Sequence, residues 1–358
     1  MLQRRALIIQ ARIQVRIQAR IQARIYARIH AWMRSPRKLA TKMTLAQLNE
    51  HFALPGILAF DENNGLARAQ VTLPNCLATV YLHGAHLTHW HPAGQAPVLF
   101  VSSRSEFAQG KPIRGGIPVC FPWFATDTKG HDSGKPGPSH GFARLQEWEF
   151  AFAALVPGEH STLHLTFTLA PSELSRHFGC GDFRLAYEMI FGVGDANSQS
   201  VTLRLSVANP GQAPLEFEEA LHTYFQVAEV TKSPITGLES AKFLDKTDAM
   251  REKTGPAGPL TVTSWTDRVY PANTATTHIA DTGNARTITI AKVNSATTIV
   301  WNPWDKASAA MADLGPNDWP GFLCVETANT GAQAITLQPG GAHTMQVVLT
   351  TALNAKAR

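Results

Sequence analysis

Between Lys111 and Arg144 the chain reads KPIRGGIPVCFPWFATDTKGHDSGKPGPSHGFAR, and two later segments, EALHTYF at Glu219–Phe225 and CVET at Cys324–Thr327, complete a set of reactive side chains. The set holds two arginines (Arg114, Arg144), two histidines (His140, His222) and a carboxylate, Glu326. It has neither the Cys/His spacing of a metal centre nor the glycine fingerprint of a nucleotide loop. Such an inventory suits acid/base chemistry on an anionic small molecule: guanidinium forks orient the anion while imidazole and carboxylate exchange protons.

Each residue also has a plainer reading. The glycines after Arg114 permit a tight turn that aims its guanidinium at an anion, and Arg144, four residues after His140 in HGFAR, adds a second; either could instead pair with a structural carboxylate. His222 follows an alternating strand, among aromatics and beside Glu218 and Glu219, where a histidine is often a satisfied core residue. Glu326 lies in what reads as a buried strand, and a buried carboxylate needs a partner, structural or chemical. Asp267, in TDRVY, could accept from a polyol or cap a turn. The run HGAHLTHWH (His83, His86, His89, His91) hints at a metal, but on a strand His86 faces away from the other three and no carboxylate or cysteine completes a ligand set.

Charge narrows the partners. Eleven of the 32 basic residues fall within residues 1–43, which contain no acid, so the remainder holds 21 basic against 27 acidic groups and is acidic overall. That distribution argues against nucleic acid as a partner despite the formal net charge of +5. The four cysteines (Cys76, Cys120, Cys180, Cys324) form no CxxC pair, and no secretory signal is evident, so reduced thiols and a cytoplasmic location are expected. Cys120 and Cys324 read as small buried hydrophobes. No apolar run approaches the ~18 residues that span a bilayer.

The elements that must position these residues are strands. Period-two alternation recurs in Ala67–Leu73, Ser161–Leu169, Ser200–Ala208 and Ala342–Thr350, between segments rich in Gly, Pro, Asn and Asp. This predicts half-buried antiparallel strands in an all-β sandwich or barrel, with short helical stretches only near Ser172–Phe178 and Ala307–Leu314. No linker divides residues 43–358, which read as one domain. The loop Thr126–Ser139 is of a length that is usually either functional or disordered in a compact domain, and it delivers the chain into His140.

Residues 1–42 form a separate basic arm. Ile9 to His30 repeat a four-residue unit, with Ile13, Ile17, Ile21, Ile25 and Ile29 interleaved by Arg12, Arg16, Arg20, Arg24 and Arg28. A step of four drifts about 40° per repeat on an α-helix, so the isoleucines wind around the axis and suit a fixed core poorly. A low-complexity extension is the preferred reading, with initiation near Met43 as a corollary; a membrane-surface helix and a targeting presequence are the alternatives.

Taken in order, IRGGIPVCFPWF, HGFAR, EALHTYF, TDRVY, WNPW at Trp301–Trp304 and CVET resemble the aldose 1-epimerase superfamily, and more narrowly the glucose-6-phosphate 1-epimerases (hexose-6-phosphate mutarotases), over about residues 50–355. The resemblance implies a galactose-mutarotase-like β-supersandwich with no metal and no organic cofactor. It places the catalytic histidine on His222, the catalytic glutamate on Glu326 and the substrate contacts on Arg114, Arg144 and Asp267, with His140 lining the pocket. Ser139 stands where many relatives carry Gln.

The activity so implied is interconversion of α and β hexose 6-phosphates. Glu326 would take the anomeric proton while His222 protonates the ring oxygen, the roles reversing on closure, and the arginines would hold the phosphate. The expected partner is a hexose phosphate, and a monomer is the default. The alternatives are an epimerase of free sugars, for which the arginine pair would carry no phosphate preference, and a sugar-phosphate binding protein without catalysis.

Overall fold

Antiparallel strands joined by short turns make up most of the fold, as the alternating sequence requires. The computed structural model describes residues 32–33, 42–127, 137–157, 161–192 and 198–354. The Ile/Arg repeat and most of the Thr126–Ser139 loop lie outside the described residues. A four-stranded meander comes first (Leu58–Asn63, Leu66–Leu73, Cys76–Tyr81, His86–Pro92).

Two eight-stranded sheets follow. The first has the order Ile235–Thr236, Thr277–Asp281, Arg286–Val293, Ala342–Leu353, Ser198–Ala208, Arg184–Gly192, Thr162–Leu169 and Glu149–Val156. The second runs Arg251–Thr254, Lys242–Asp245, Thr266–Pro271, Thr297–Asn302, Phe322–Asn329, Glu219–Leu221 and Val119–Cys120, with Tyr224–Gln226 also paired to Phe322–Asn329. We call it the site sheet.

All four expected strands are present; three are extended by one to three residues at an end, and Thr162–Leu169 is one residue shorter than expected. One expectation of burial is corrected: Thr162–Leu169 is not half-buried, because His164, Thr166 and Thr168 are 4%, 1% and 4% exposed. The strand is interior to its sheet, so these polar side chains stand between same-face neighbours on both sides, Phe152 and Ala154 on one strand and Ala186, Glu188 and Ile190 on the other.

The helices are short. Leu45–Phe52 begins at a capping box, in which the Thr44 hydroxyl accepts from Gln47 N–H and the Gln47 carboxamide accepts from Thr44 N–H. Glu173–His177 falls where expected. The last helix, Trp304–Ala309, starts before the expected Ala307 because the Asn302 side chain accepts from Trp304 N–H and so fixes the first turn. No helix among the described residues is long and apolar enough to cross a membrane.

One apolar cluster runs through the meander and both sheets, with Trp90, Phe121, Phe167, Leu203, Phe225 and Leu323 among its members. At its edge Arg286, fully buried, ties the parts together. Its Nε donates to Asp281 Oδ2 (2.9 Å), Nη2 donates to the carbonyls of Pro97 and Gln226 (2.9 Å each), and Nη1 donates to that of Ala96. Met33 is buried against Val156, Ala186 and Ala208 of the first sheet, and Trp32 lies under the Arg184 guanidinium.

All four cysteines are free; Cys120 and Cys324 are fully buried, as their apolar surroundings predicted, and burial pushes both thiols above their ordinary range.

Candidate active site

The register of the site sheet assembles the pocket. Leu221 pairs with Thr327 and Tyr224 with Cys324, so the two residues between, His222 and Thr223, stand opposite Glu326 and Val325 without leaving the register. The ladder is interrupted there because His222 N–H donates instead to Pro118 O and Tyr224 N–H to Gly116 O. Glu326 in turn pairs with Ile299, and two residues along the same face Cys324 pairs with Trp301, which pairs with Asp267. Continuing the Asp245–Arg268 pairing sets Lys246 against Asp267. Alternation along each strand therefore puts His222, Glu326, Ile299, Trp301, Asp267 and Lys246 on one face in two adjacent rows.

Two loops wall this floor. Arg114 follows the meander on a turn where Gly115 (φ 116°) crosses Val101 so closely that any Cβ would meet the Phe100 carbonyl. His83 and His86, part of the run considered for metal, serve this turn: their Nε2–H groups donate to Lys111 O and Gly115 O, each at 2.7 Å. Arg144 lies in the 3₁₀ turn Ala143–Leu145, after Gly141 (φ 74°), where a Cβ would strike Phe121 O. His140 itself has φ 62°, a left-handed conformation uncommon for a residue with a side chain, and its Nδ1 accepts from Ala125 N–H (3.3 Å).

Together these residues enclose a cavity of about 270 Å³, lined by Arg114, Phe124, Ser139, His140, Arg144, His222, Lys246, Asp267, Ile299, Trp301, Met311 and Glu326. All six residues expected from the sequence converge on it. Ser139 lines it too, and its carbonyl accepts from Arg144 Nη2 (2.8 Å).

Sequence reasoning missed Lys246, whose Nζ lies 3.2 Å from Asp267 Oδ2 and over the Phe124 ring. It also missed Asp313 and Tyr224, which hold Arg114: Nε and Nη2 reach Asp313 Oδ2 at 3.0 and 2.8 Å, and Nη1 donates to the Tyr224 hydroxyl at 2.9 Å. Tyr224 was visible inside EALHTYF, but nothing in that motif pointed to an arginine 110 residues earlier.

His222 Nε2 lies 3.4 Å from Glu326 Oε1; the two residues are 6% and 1% exposed. His222 Nδ1 and Glu326 Oε2 are buried without hydrogen-bond partners, as is Arg144 Nε. Such orphaned groups are expensive in a folded core and mark a place prepared for a polar ligand.

The surroundings shift the proton affinities of the two residues in opposite directions. Burial raises the Glu326 carboxyl well above the ordinary range, with the nearby Asp267 adding to the effect and Lys246 opposing it. Burial lowers His222 well below its ordinary range, reinforced by the charges of Arg144 and Arg114. His140 is likewise depressed, by burial and then by His222 and Arg144. Burial also raises Asp267 against the pull of Lys246. Arg114 keeps its charge securely: burial disfavours it, but Tyr224 and Asp313 more than offset that. A carboxyl and an imidazole in contact, with proton affinities shifted toward each other, can hand protons to opposite sides of a small polar molecule.

The Glu218 and Glu219 carboxylates stand outside this pocket. Glu218 accepts from Phe124 N–H (2.8 Å) and Gly331 N–H (2.6 Å), steadying the pocket wall, while Glu219 meets His343 (3.0 Å) and accepts from Asn329 Nδ2 (2.8 Å).

Comparison with known proteins bears directly on this geometry. Residues 69–350 match the family described as aldose 1-epimerase. A protein of Escherichia coli (strain K12), described as a candidate glucose-6-phosphate 1-epimerase, is 33% identical over 278 residues, which cover 77% of this chain and 87% of that protein. The crystal structure of a candidate mutarotase of Salmonella typhimurium superposes with a TM-score of 0.75 at 29% identity, over 85% of this chain and 96% of the other. A galactose mutarotase-like protein of Lactobacillus casei is similar in fold alone, with a TM-score of 0.60 and 14% identity over 79% of this chain and 99% of its own. The expected galactose-mutarotase-like β architecture is therefore the observed one.

Proposed function

Because the chain belongs to the aldose 1-epimerase family, we propose that it interconverts the α and β anomers of hexose 6-phosphates, glucose 6-phosphate first among them. The observation that carries this reading is the opposition of His222 and Glu326, 3.4 Å apart, in a pocket that also presents Arg114 and Arg144.

Glu326 takes the proton of the anomeric hydroxyl while His222 gives one to the ring oxygen, and the C1–O5 bond breaks to leave the open-chain aldehyde. Rotation about C1–C2 presents the other face of the carbonyl. The ring oxygen, returning its proton to His222, closes on C1, and the new anomeric oxygen is reprotonated by Glu326. Each proton transfer contributes on the order of 10²–10⁴-fold.

The phosphate sits against Arg114 and Arg144, where charge-assisted hydrogen bonds hold it away from the reacting carbon. Asp267 and Lys246, side by side on the floor, contact ring hydroxyls, and His140 closes the wall next to His222. The relatives described as candidate glucose-6-phosphate 1-epimerases support the phosphorylated substrate.

The test is exchange spectroscopy on the anomeric protons of glucose 6-phosphate and of glucose, run in parallel. Faster protein-dependent exchange for the phosphate ester is expected. Equal exchange on glucose would move the assignment to free sugars, and no exchange on either would remove the catalytic reading.

A further inference from the structure

The two arginines of the pocket stand on the imidazole side of the proton-transfer pair. Arg114 donates to the Tyr224 hydroxyl, and the Tyr224 ring stacks on His222 with centroids 4.8 Å apart and planes at 11°. Arg144 donates to Ser139 O, next to His140, whose ring centroid is 5.2 Å from that of His222. On the far side, Lys246 pairs with Asp267 in the strand row adjacent to Glu326. The arginines thus weigh most on the imidazole, Lys246 adding less, while Asp267 and Lys246 act in opposite senses on the carboxyl.

Burial and the arginine charges disfavour a proton on His222, while burial favours one on Glu326. Both shifts run against the reaction, which needs a carboxylate to accept from C1–OH and an imidazolium to donate to O5. Arg144 indicates the remedy. It is 9% exposed, its Nε is unpartnered, and among the described residues no carboxylate forms an ion pair with it, Asp313 acting on it only at longer range, whereas Arg114 is held directly by Asp313.

We propose that the substrate's phosphate activates the site as well as anchoring it: seated against Arg114 and Arg144, it cancels their charge at His222 and draws the pair's proton from Glu326 onto the imidazole. The inference rests on the hexose 6-phosphate reading. One proton crosses within the pair, carboxyl plus imidazole becoming carboxylate plus imidazolium, with no change in net charge. The dianion lies on the arginine side, so it stabilises the imidazolium more than it opposes the carboxylate. Of the charged or titratable groups around the pair (Arg114, Arg144, His140, Lys246, Asp267, Tyr224, Cys120 and Cys324), only the two arginines are neutralised by it.

Activation, unlike anchoring, survives cutting the substrate in two. D-Xylose lacks the C6 arm and leaves room for phosphite dianion beside the arginines. Added phosphite should raise protein-dependent α/β exchange of D-xylose on the order of tenfold, the equivalent of one pKa unit of proton placement, over the protein-free rate in the same phosphite. Arg144→Ala should lose that rise. Phosphite that competes with glucose 6-phosphate yet leaves xylose exchange unchanged would overturn the proposal while the function stands. Should phosphite not compete, the saturated rates decide: a kcat for glucose 6-phosphate about tenfold or more above that for glucose supports activation, and equal kcat values overturn it. Failure to exchange glucose 6-phosphate at all would instead sink the underlying reading.

Discussion

His222 faces Glu326 across an interrupted stretch of β-ladder, in the same register as the pairs Leu221–Thr327 and Tyr224–Cys324 that flank it. The strand pairing itself sets the contact between the two reactive groups, and diverting the His222 amide to Pro118 leaves the side chain free to face the carboxyl. A buried carboxyl with one oxygen unpartnered beside an imidazole with one nitrogen unpartnered gains little stability from the arrangement.

That imbalance has a measurable sign. The folded-state pKa of Glu326 is raised, so ionisation favours the unfolded chain once pH exceeds the ordinary value of 4.5. Glu326→Gln removes the penalty. The variant should melt at a higher temperature than wild type at pH 7, and the gain should shrink toward zero below pH 4.5; a variant less stable at pH 7 would contradict the assignment of strain to this carboxyl.

Arg144 should matter for the phosphate rather than for the ring. A hydrogen bond to a charged group contributes about 1.5–3 kcal/mol, so Arg144→Ala should raise KM for glucose 6-phosphate about 10- to 100-fold. Arg144→Lys should recover only part of this, because an ammonium lacks the planar fork. Glucose, which has no phosphate to lose contact with, should show no such rise in KM and serves as the control.

Lys246 opposes the upward shift of Glu326, and Asp267 reinforces it. Lys246→Met should therefore raise the Glu326 pKa further and move the alkaline limb of the kcat/KM profile to higher pH, because the singly protonated pair persists longer. Asp267→Asn should move the same limb down. Shifts in a common direction would rule out this electrostatic division of the floor.

Away from the pocket, Asp281 is the sole carboxylate found on the fully buried Arg286 among the described residues. Asp281→Asn leaves that guanidinium uncompensated and should lower unfolding stability by about 3–5 kcal/mol, read as a drop in the urea midpoint. Because Arg286 also holds the carbonyls of Pro97 and Gln226, loss of the pair loosens the junction between the meander's exit and both sheets.

Much of this architecture was legible beforehand, and the reasons differ by residue. The strands Leu66–Leu73 and Ala342–Leu353 announced themselves by alternation, since each has a buried and a less buried face. Thr162–Leu169 alternated equally well yet is buried from Leu163 onward, because alternation reports polarity and not what covers the polar side. Arg114, Arg144, His222 and Glu326 stood in motifs. Lys246 did not, as its place opposite Asp267 follows from a strand register that no local pattern encodes. The histidine run was seen but its use was not: His83 and His86 hold carbonyls of the turn that carries Arg114, a relation between segments about 30 residues apart.

The central claim is that His222 and Glu326 move protons on a bound hexose phosphate. Its most direct test is anomeric exchange of glucose 6-phosphate with equal catalytic amounts of wild type and Glu326→Gln, with binding of glucose 6-phosphate to each followed by calorimetry. The account predicts α/β cross-peaks for wild type, and a variant that still binds while its exchange rate falls on the order of 10²–10⁴-fold. A variant that binds and exchanges as fast as wild type would contradict it.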